Sequence, residues 1–291
     1  MDRATLLAFV GVVIFGGVNG VGVAIVNEEI APLWGAALRF GSASALLFAI
    51  AAARRIGLPR GSALAGSIAY GALYFGIGFG LIHWALVDAP PGMTQVVLSV
   101  VPLAAFLLAV AHRTERFRWQ GFAGAVLAVV GVAFVFGERL GTALPGVVLL
   151  AILGGALGIA EGTVVAKRFP GSHPVAGNAI AMGVGAVLLF VASSVVAEPW
   201  ALVDSVGAWL WFAYLVIIGS VVVFVLFLFV VSRWTASATS YVWPLLPLVA
   251  IPFSAVVTRE PVTPRLLVGG AFVLVGVYLG AFAPALRDVA S

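Results

Sequence analysis

The chain has 291 residues, of which 63% are hydrophobic and 9% are charged, and its mean hydropathy is +1.20. This composition excludes a water-soluble globular protein, because one core could not bury so much apolar side chain. The net charge of +4 is typical of membrane-protein loops that lie against anionic lipid, and it does not indicate nucleic-acid binding. The absence of cysteine excludes disulfides, thiolate metal sites and cysteine catalysis.

Ten apolar runs follow one another along the chain, separated by short segments rich in charge, proline or glycine. A membrane-spanning helix needs about 20 apolar residues, and the runs lack the alternating pattern of barrel strands. We therefore predict an all-α membrane protein with ten transmembrane helices. The runs are Thr5–Val26, Pro32–Ala53, Ser62–Ala85, Pro91–Ala111, Trp119–Phe136, Leu144–Ala166, Pro174–Val196, Val206–Val231, Ser237–Val257 and Pro264–Phe282.

Basic residues are unevenly distributed between alternate loops. With a cytoplasmic N-terminus, eleven of the 15 lysines and arginines fall on the cytoplasmic side, and most acidic residues fall on the other side. This bias predicts that both termini are cytoplasmic. The first run follows Arg3 but is longer than the apolar part of a signal peptide, so we interpret it as the first helix.

The chain matches itself at an offset of 145 residues. A proline within a helix, a glutamate in the following loop and glycines in the next helix all coincide at this one offset. The pairs include Thr94 with Thr239, Val97 with Val242, Pro102 with Pro247, Leu103 with Leu248, Glu115 with Glu260, Gly124 with Gly269, and Gly131 with Gly276. A repeat of five spans is odd, so the second copy enters the membrane from the opposite side. Such inverted repeats are typical of secondary transporters, whose halves enclose a site near the bilayer midplane.

These residues resemble the drug/metabolite transporter superfamily, and within it the ten-helix transporters built from two EamA-type halves. The resemblance lies in the run from Gly16 to Asn19, in Pro32 followed by Arg39, and in the repeated Pro, Glu and Gly pairs above. It implies two inverted five-helix repeats at residues 1–140 and 141–291, and export as the direction of transport. The aromatic amino acid exporter branch is the most similar one.

Polar residues within the spans mark the candidate substrate site, since an unpaired polar group in hydrocarbon is costly. Gln95, Ser99 and Pro102 share one face of the fourth span. In the ninth span Ser240, Pro244 and Pro247 share a face, with Tyr241 beside it. We expect these two helices to form opposite walls of a cavity, or alternatively to use small polar contacts and proline kinks for packing.

Aromatic side chains add an apolar surface to this candidate site. Tyr70 and Tyr74 lie one turn apart on the third span. Together with Tyr241 and Trp243 they would suit a substrate with an aromatic or apolar side chain. The alternative is that these aromatic residues only pack between helices.

Four further residues are candidates for binding, gating or coupling. Asn19 lies near the middle of the first span, where it binds substrate or joins helices. Arg39 contacts a substrate carboxylate, acts as a gate, or pairs structurally. Glu161 either pairs with Lys167 or Arg168 or carries a proton. His83, near the outer end of the third span, is a titrating gate or an interfacial histidine.

The sequence therefore predicts a secondary transporter of the inner membrane that exports small organic metabolites by alternating access. Amino acids, including aromatic ones, are the expected substrates, and protons are an open coupling partner. No cofactor or metal is expected, because neither a phosphate-binding loop nor a metal-ligand cluster is present. The alternatives are an exporter of drugs or toxic compounds, a channel-like facilitator, and a membrane-embedded enzyme. The last would need a nucleophile with a base, which the sequence does not offer.

Overall fold

A computed structural model describes residues 2–89, 91–135, 145–169, 172–258 and 264–282, and within these ranges the regular elements are all helices. They form ten helical spans, as predicted. The spans are α1 (Arg3–Asn27), α2 (Pro32–Ala53), α3 (Ser62–Ala85), α4 (Pro91–Leu98 and Val101–Ala111), α5 (Trp119–Val135), α6 (Gly146–Arg168), α7 (Pro174–Val195), α8 (Val206–Arg233), α9 (Ala236–Ser240 and Val242–Thr258) and α10 (Pro264–Val277, continued by Tyr278–Phe282).

Seven of the described helices are at least 18 residues long and apolar enough to cross a bilayer. Their backbone groups bond within the helix, which the hydrocarbon core requires. Side-chain caps satisfy N–H groups at several helix starts. The Asp2 carboxylate accepts from Thr5 N at 2.7 Å, and Glu198 accepts from Leu33 N and Trp34 N at 3.1 and 2.8 Å. The last two bonds attach the α7–α8 loop to the start of α2.

Helices α3 and α8 each contain a wide, π-helical segment in the middle of the span. The segment is Gly71–Gly78 in α3 and Ile217–Val222 in α8. Shifting the first by the offset of 145 residues places it over the second. The two halves therefore share a backbone irregularity as well as a sequence pattern, and such segments are frequent at functional sites.

The packing of α5 against α10 shows how the two halves are related. A Cβ atom built on Gly124 would come within 2.6 Å of Gly276 O, and one on Gly131 within 2.7 Å of Gly269 O. Gly124 and Gly131 are the repeat equivalents of Gly269 and Gly276, so each glycine faces the counterpart of the other. This reciprocal contact is the mark of a two-fold axis.

The residue numbers in this contact rise along α5 as they fall along α10, so the equivalent helices are antiparallel. The same holds for α2 and α7, where Gly41 faces Ala186 and Gly183 faces Ser44. Equivalent helices can run in opposite directions only if the halves are inverted. The predicted fold of two inverted five-helix repeats is confirmed. The predicted boundary between residues 140 and 141 lies outside the described residues, as does Glu260.

The bundle has two ends. At the Glu28 end, α1, α3 and α7 finish and α2, α4 and α8 begin. At the Glu115 end, the α4–α5 and α8–α9 connections meet. Glu29 Oε2 accepts from Asp204 N and Ser205 N at the first end, at 2.7 and 3.0 Å. Because these connections tie the two repeats together at both ends, the space between them lies inside the bundle.

Candidate substrate site

A cavity of about 370 Å³ lies between the two repeats. Its walls come from α1, α2, α3 and α4 of the first repeat and from α8 and α9 of the second. It reaches from the middle of the bundle to Asn27 and Glu28, so it extends toward the Glu28 end. The polar residues that line it are Asn19, Asn27, Glu28, Arg39, Tyr74, His83, Thr94, Gln95 and Trp243.

Arg39 is the charged group within the deep part of the cavity. Its side chain is 3% exposed, and Nε donates to Ser220 Oγ at 2.8 Å while Nη2 donates to Gly219 O at 2.9 Å. No carboxylate in the described part of the chain lies within 4.0 Å of it. A buried guanidinium held only by neutral groups keeps its positive charge for another partner.

Three buried polar atoms in the cavity wall lack a hydrogen-bond partner. They are Asn19 Oδ1, Gln95 Oε1 and Trp243 Nε1. Asn19 is fixed by its other amide atom, because Nδ2 donates to Gly219 O at 3.0 Å. Most buried polar atoms in folded proteins are paired, so two free acceptors and one free donor around one cavity are what a polar ligand would satisfy.

Aromatic rings form the apolar side of the cavity. Phe79 lies 6.2 Å from Trp243 and 6.1 Å from Phe224 between ring centroids, and Tyr74 lies 5.6 Å from Phe227. These five rings line the cavity and belong to α3, α8 and α9. Edge-to-face and tilted ring pairs of this kind offer a rigid apolar surface to a ligand side chain.

His83 and Glu28 lie on the cavity wall toward the Glu28 end of the bundle. His83 is 4% exposed, and its Nδ1 lies 2.9 Å from Phe79 O. It is therefore buried in the cavity wall. Glu28 is exposed and is the acidic residue that lines the cavity among the described residues.

Some of the predicted site residues line the cavity, and the other candidates lie elsewhere. The six that line it are Asn19, Arg39, Tyr74, His83, Gln95 and Trp243. Tyr70 packs behind Tyr74 with ring centroids 5.1 Å apart, and its hydroxyl has no partner. The Ser99 hydroxyl donates to Val96 O, and the Ser240 hydroxyl to Ala236 O, at 2.6 and 2.9 Å. Each serine thus bonds to its own helix. Pro102, Pro244 and Pro247 also lie outside the cavity lining.

Glu161 is paired differently from the sequence prediction. Its Oε1 lies 3.0 Å from His112 Nε2 on the neighbouring α4, and no ion pair joins it to Lys167 or Arg168. Arg168 Nη1 instead lies 3.1 Å from His112 Nδ1. Arginine can only donate, so Nδ1 accepts and the neutral His112 donates from Nε2 to Glu161. This pair lies at the Glu115 end, outside the cavity.

The Glu115 end is closed by contacts between the repeats. The Glu115 carboxylate accepts from the backbone N–H and the hydroxyl of Ser237 at the start of α9. The Tyr241 hydroxyl donates to Gly121 O at 3.2 Å. Phe9 and Phe282 pack against Trp234, with centroids 5.0 and 5.4 Å from it. The cavity therefore has a closed floor toward this end. These closing residues, Tyr241 among them, are not cavity walls.

Sequence reasoning missed several residues of the cavity, notably Phe79, Phe224 and Phe227 as walls and Ser220 as the partner of Arg39. The sequence did give a signal for Ser220. At the offset of 145 residues, Gly219 and Ser220 align with Tyr74 and Phe75 of the first repeat, and Tyr74 was already a candidate site residue. A helical repeat pattern cannot show that Arg39 and Ser220, 181 residues apart, are in contact.

The chain was compared with known proteins. The EamA-like transporter family matches residues 3–137 and again 146–281. The uncharacterized inner membrane transporter YedA of Escherichia coli (strain K12) is 28% identical over 229 residues, which cover 77% of this chain and 73% of YedA. A probable terminal-alkyne amino-acid exporter of Streptantibioticus cattleyicolor is 29% identical over 203 residues, covering 68% of this chain and 67% of that protein.

The uncharacterized transporter YoaV of Bacillus subtilis (strain 168) is 24% identical and covers 98% of this chain and 99% of its own. A solved crystal structure matches with a TM-score of 0.77 over 98% of both chains at 21% identity, which shows the shared fold. In the described residues, no group of three or more His, Asp or Glu side chains could hold a metal ion. With the family matching both halves, the chain is a multi-pass membrane protein that belongs to the EamA-like transporter family.

Proposed function

We propose that the chain exports amino acids with aromatic or large apolar side chains across the inner membrane by alternating access. The observation that carries this proposal is the Arg39 guanidinium, buried in the cavity wall with neutral partners only. A substrate carboxylate is the group that would neutralise it. The free acceptors Asn19 Oδ1 and Gln95 Oε1 suit the ammonium group of the same substrate.

The size and the apolar wall of the cavity support the same substrate class. A volume of about 370 Å³ is at the lower end of the range for small-molecule pockets, roughly 300 to 1,000 Å³. The rings of Tyr74, Phe79 and Phe224 would take the substrate side chain. The similarity to a probable amino-acid exporter points in the same direction.

The charge of the cavity argues against the alternative of a cationic-drug exporter. Such a substrate needs a carboxylate near its binding site, whereas the deep part of the cavity holds Arg39. Glu28 is exposed at the end of α1, and Glu161 lies outside the cavity. A cation in the site would repel Arg39 in a low-dielectric environment, where charges interact strongly.

The proposed orientation places the Glu115 end in the cytoplasm. Basic residues gather at this end, which the positive-inside rule assigns to the cytoplasm. They are Arg3, Arg54, Arg55, Arg60, Arg113, Arg116, Arg118, Lys167, Arg168 and Arg233. The cavity then extends toward the outside with its cytoplasmic end closed. Inversion of the repeats supplies the related conformation in which the other end opens.

The experiment is counterflow of labelled amino acids into proteoliposomes, with L-phenylalanine, L-leucine, L-lysine and L-glutamate as the panel, with and without a pH gradient. We expect saturable counterflow of L-phenylalanine and L-leucine, and its loss in Arg39→Gln. Dependence on the pH gradient would assign protons as the coupling partner. Ser44→Ala is the matched control, because its buried hydroxyl bonds to Ala179 O between α2 and α7. Unsaturable flux, or wild-type counterflow in Arg39→Gln, contradicts the proposal.

A further inference from the structure

Arg39 is held in place by two adjacent residues in the wide turn of α8. Nε donates to the Ser220 hydroxyl and Nη2 donates to the Gly219 carbonyl, at 2.8 and 2.9 Å. Ser220 is fully buried, with 0% of its surface exposed. The guanidinium is a planar, rigid fork, so bonds from two of its nitrogens fix its plane as well as its position.

Both partners of Arg39 are uncharged, and this has a chemical consequence. A carboxylate partner within the protein would neutralise the guanidinium and compete with any anionic ligand. A hydroxyl and a carbonyl instead orient the group and leave its charge uncompensated. Two of the five N–H donors of Arg39 are used in these bonds, so others remain for a carboxylate in the cavity.

The Gly219 carbonyl also joins a third helix to this arrangement. Asn19 Nδ2 of α1 donates to it at 3.0 Å, so α1 and α2 of the first repeat both bond to one carbonyl of the second. The absence of a side chain at Gly219 leaves room for this bond, because a Cβ atom there would meet the Asn19 amide. Asn19 and Arg39 are therefore placed relative to each other by the same backbone atom.

We propose that Ser220, with the Gly219 carbonyl, sets the selectivity of the site for a free carboxylate by positioning Arg39. Ser220 is a positioning residue that does not line the cavity. Without its hydroxyl, the guanidinium keeps its charge but loses one of two bonds that fix its plane. The bidentate geometry that distinguishes a carboxylate from an amide is then lost. This inference rests on the proposed binding of amino acids in the cavity.

The test compares L-phenylalanine with L-phenylalaninamide as competitors of labelled L-phenylalanine counterflow. The two differ only in the carboxylate. We expect the wild type to prefer the acid, and Ser220→Ala and Ser220→Cys to lower the amide-to-acid ratio of half-saturating concentrations about tenfold. The second variant keeps the size of the side chain but offers only a weak sulfur acceptor. Ser44→Ala should retain the wild-type ratio, and maximal counterflow should change less than the ratio in both Ser220 variants.

The possible outcomes separate this inference from the proposed function. A wild type that does not prefer the acid overturns the proposed carboxylate contact itself. If the wild type prefers the acid and Arg39→Gln abolishes counterflow, while both Ser220 variants retain the preference for the acid, the positioning role is wrong and the proposed function stands. A Ser220 variant that slows acid and amide counterflow equally, at an unchanged ratio, also overturns the positioning role, because it shows a purely structural effect.

Discussion

The carboxylate of Glu115 holds the cytoplasmic end shut in the proposed orientation, so its removal should open that end. Glu115 accepts two hydrogen bonds from Ser237 at the N-terminus of α9. Hydrogen bonds to a charged group contribute about 1.5 to 3 kcal/mol each. A carboxylate at a helix N-terminus adds about 0.3 to 1 kcal/mol. Because Glu115 is only half-buried, we take about 2 to 3 kcal/mol for Glu115→Ala.

This loss applies only to the conformation in which the bonds exist, so it changes the balance between conformations. A difference of about 1.4 kcal/mol is a factor of ten in an equilibrium constant. The ratio of molecules open at the Glu115 end to molecules closed there should therefore rise about 30- to 140-fold. Transport at saturating substrate changes as well, but its direction depends on which conformational step is slow.

The assay uses the absence of cysteine in the natural chain. A single Thr239→Cys reporter lies two residues beyond Ser237 and is fully buried behind the closed end. Its rate of modification by a membrane-impermeant maleimide in inside-out vesicles measures opening at the Glu115 end. We expect Glu115→Ala to raise this rate by at least tenfold, and Glu115→Gln by less, because the amide oxygen still accepts.

The control is Glu28→Gln, which removes a carboxylate at the opposite end of the bundle. It should leave modification of the Thr239→Cys reporter unchanged. The proposed role of Glu115 is refuted if the reporter is modified at the same rate with and without Glu115→Ala. It is also refuted if Glu28→Gln raises the modification rate as much as Glu115→Ala does. The first outcome would show that aromatic packing closes this end without the carboxylate.

Three further predictions concern the packing of α5 against α10, the candidate site and the α7–α8 loop. Gly124→Val should lower the melting temperature in detergent, because its side chain would meet the backbone of α10; Gly20→Ala, with no atom within 4 Å of its Cβ, should not. Gln95→Ala and Trp243→Ala should each reduce counterflow and leave size-exclusion profiles unchanged; wild-type rates would remove both from the site. The Ser205 hydroxyl, together with the backbone N–H groups of Ser205 and Asp204, lowers the pKa of Glu29 below its usual 4.5. Its contribution to stability is thus present above the usual pKa and lost as the pH falls through the lowered one. Glu29→Gln should flatten the dependence of the melting temperature between pH 3 and 6, and an unchanged dependence would contradict this assignment.

The sequence alone determined the ten spans, because the bilayer imposes a single requirement on every one of them. A helix that crosses hydrocarbon must be apolar over its length and satisfy its own backbone, and both conditions are local. The inversion of the repeats also follows from the sequence, since five is an odd number of crossings. The reciprocal contacts of Gly124 and Gly131 with α10 confirm it.

Only the tertiary structure decided which polar residues face the cavity. Helical spacing places Gln95 and Ser99 on one face of α4, yet Gln95 lines the cavity and the Ser99 hydroxyl bonds to its own helix. A break in the helix after Leu98 separates the two. Serine hydroxyls can bond to a carbonyl one turn earlier, so their presence in a span does not distinguish a binding group from one satisfied locally.

The environment of Arg39 shows most clearly which features the sequence determines and which depend on the tertiary structure. Its sequence position predicts a costly charge within a span, but its partners Gly219 and Ser220 lie in the other repeat. Side-chain contacts between helices depend on how the helices cross and rotate, and that is set by the packing of the whole bundle. Hydropathy decides where the chain enters the membrane, whereas the position of the Arg39 guanidinium depends on contacts between residues 180 and 181 positions apart.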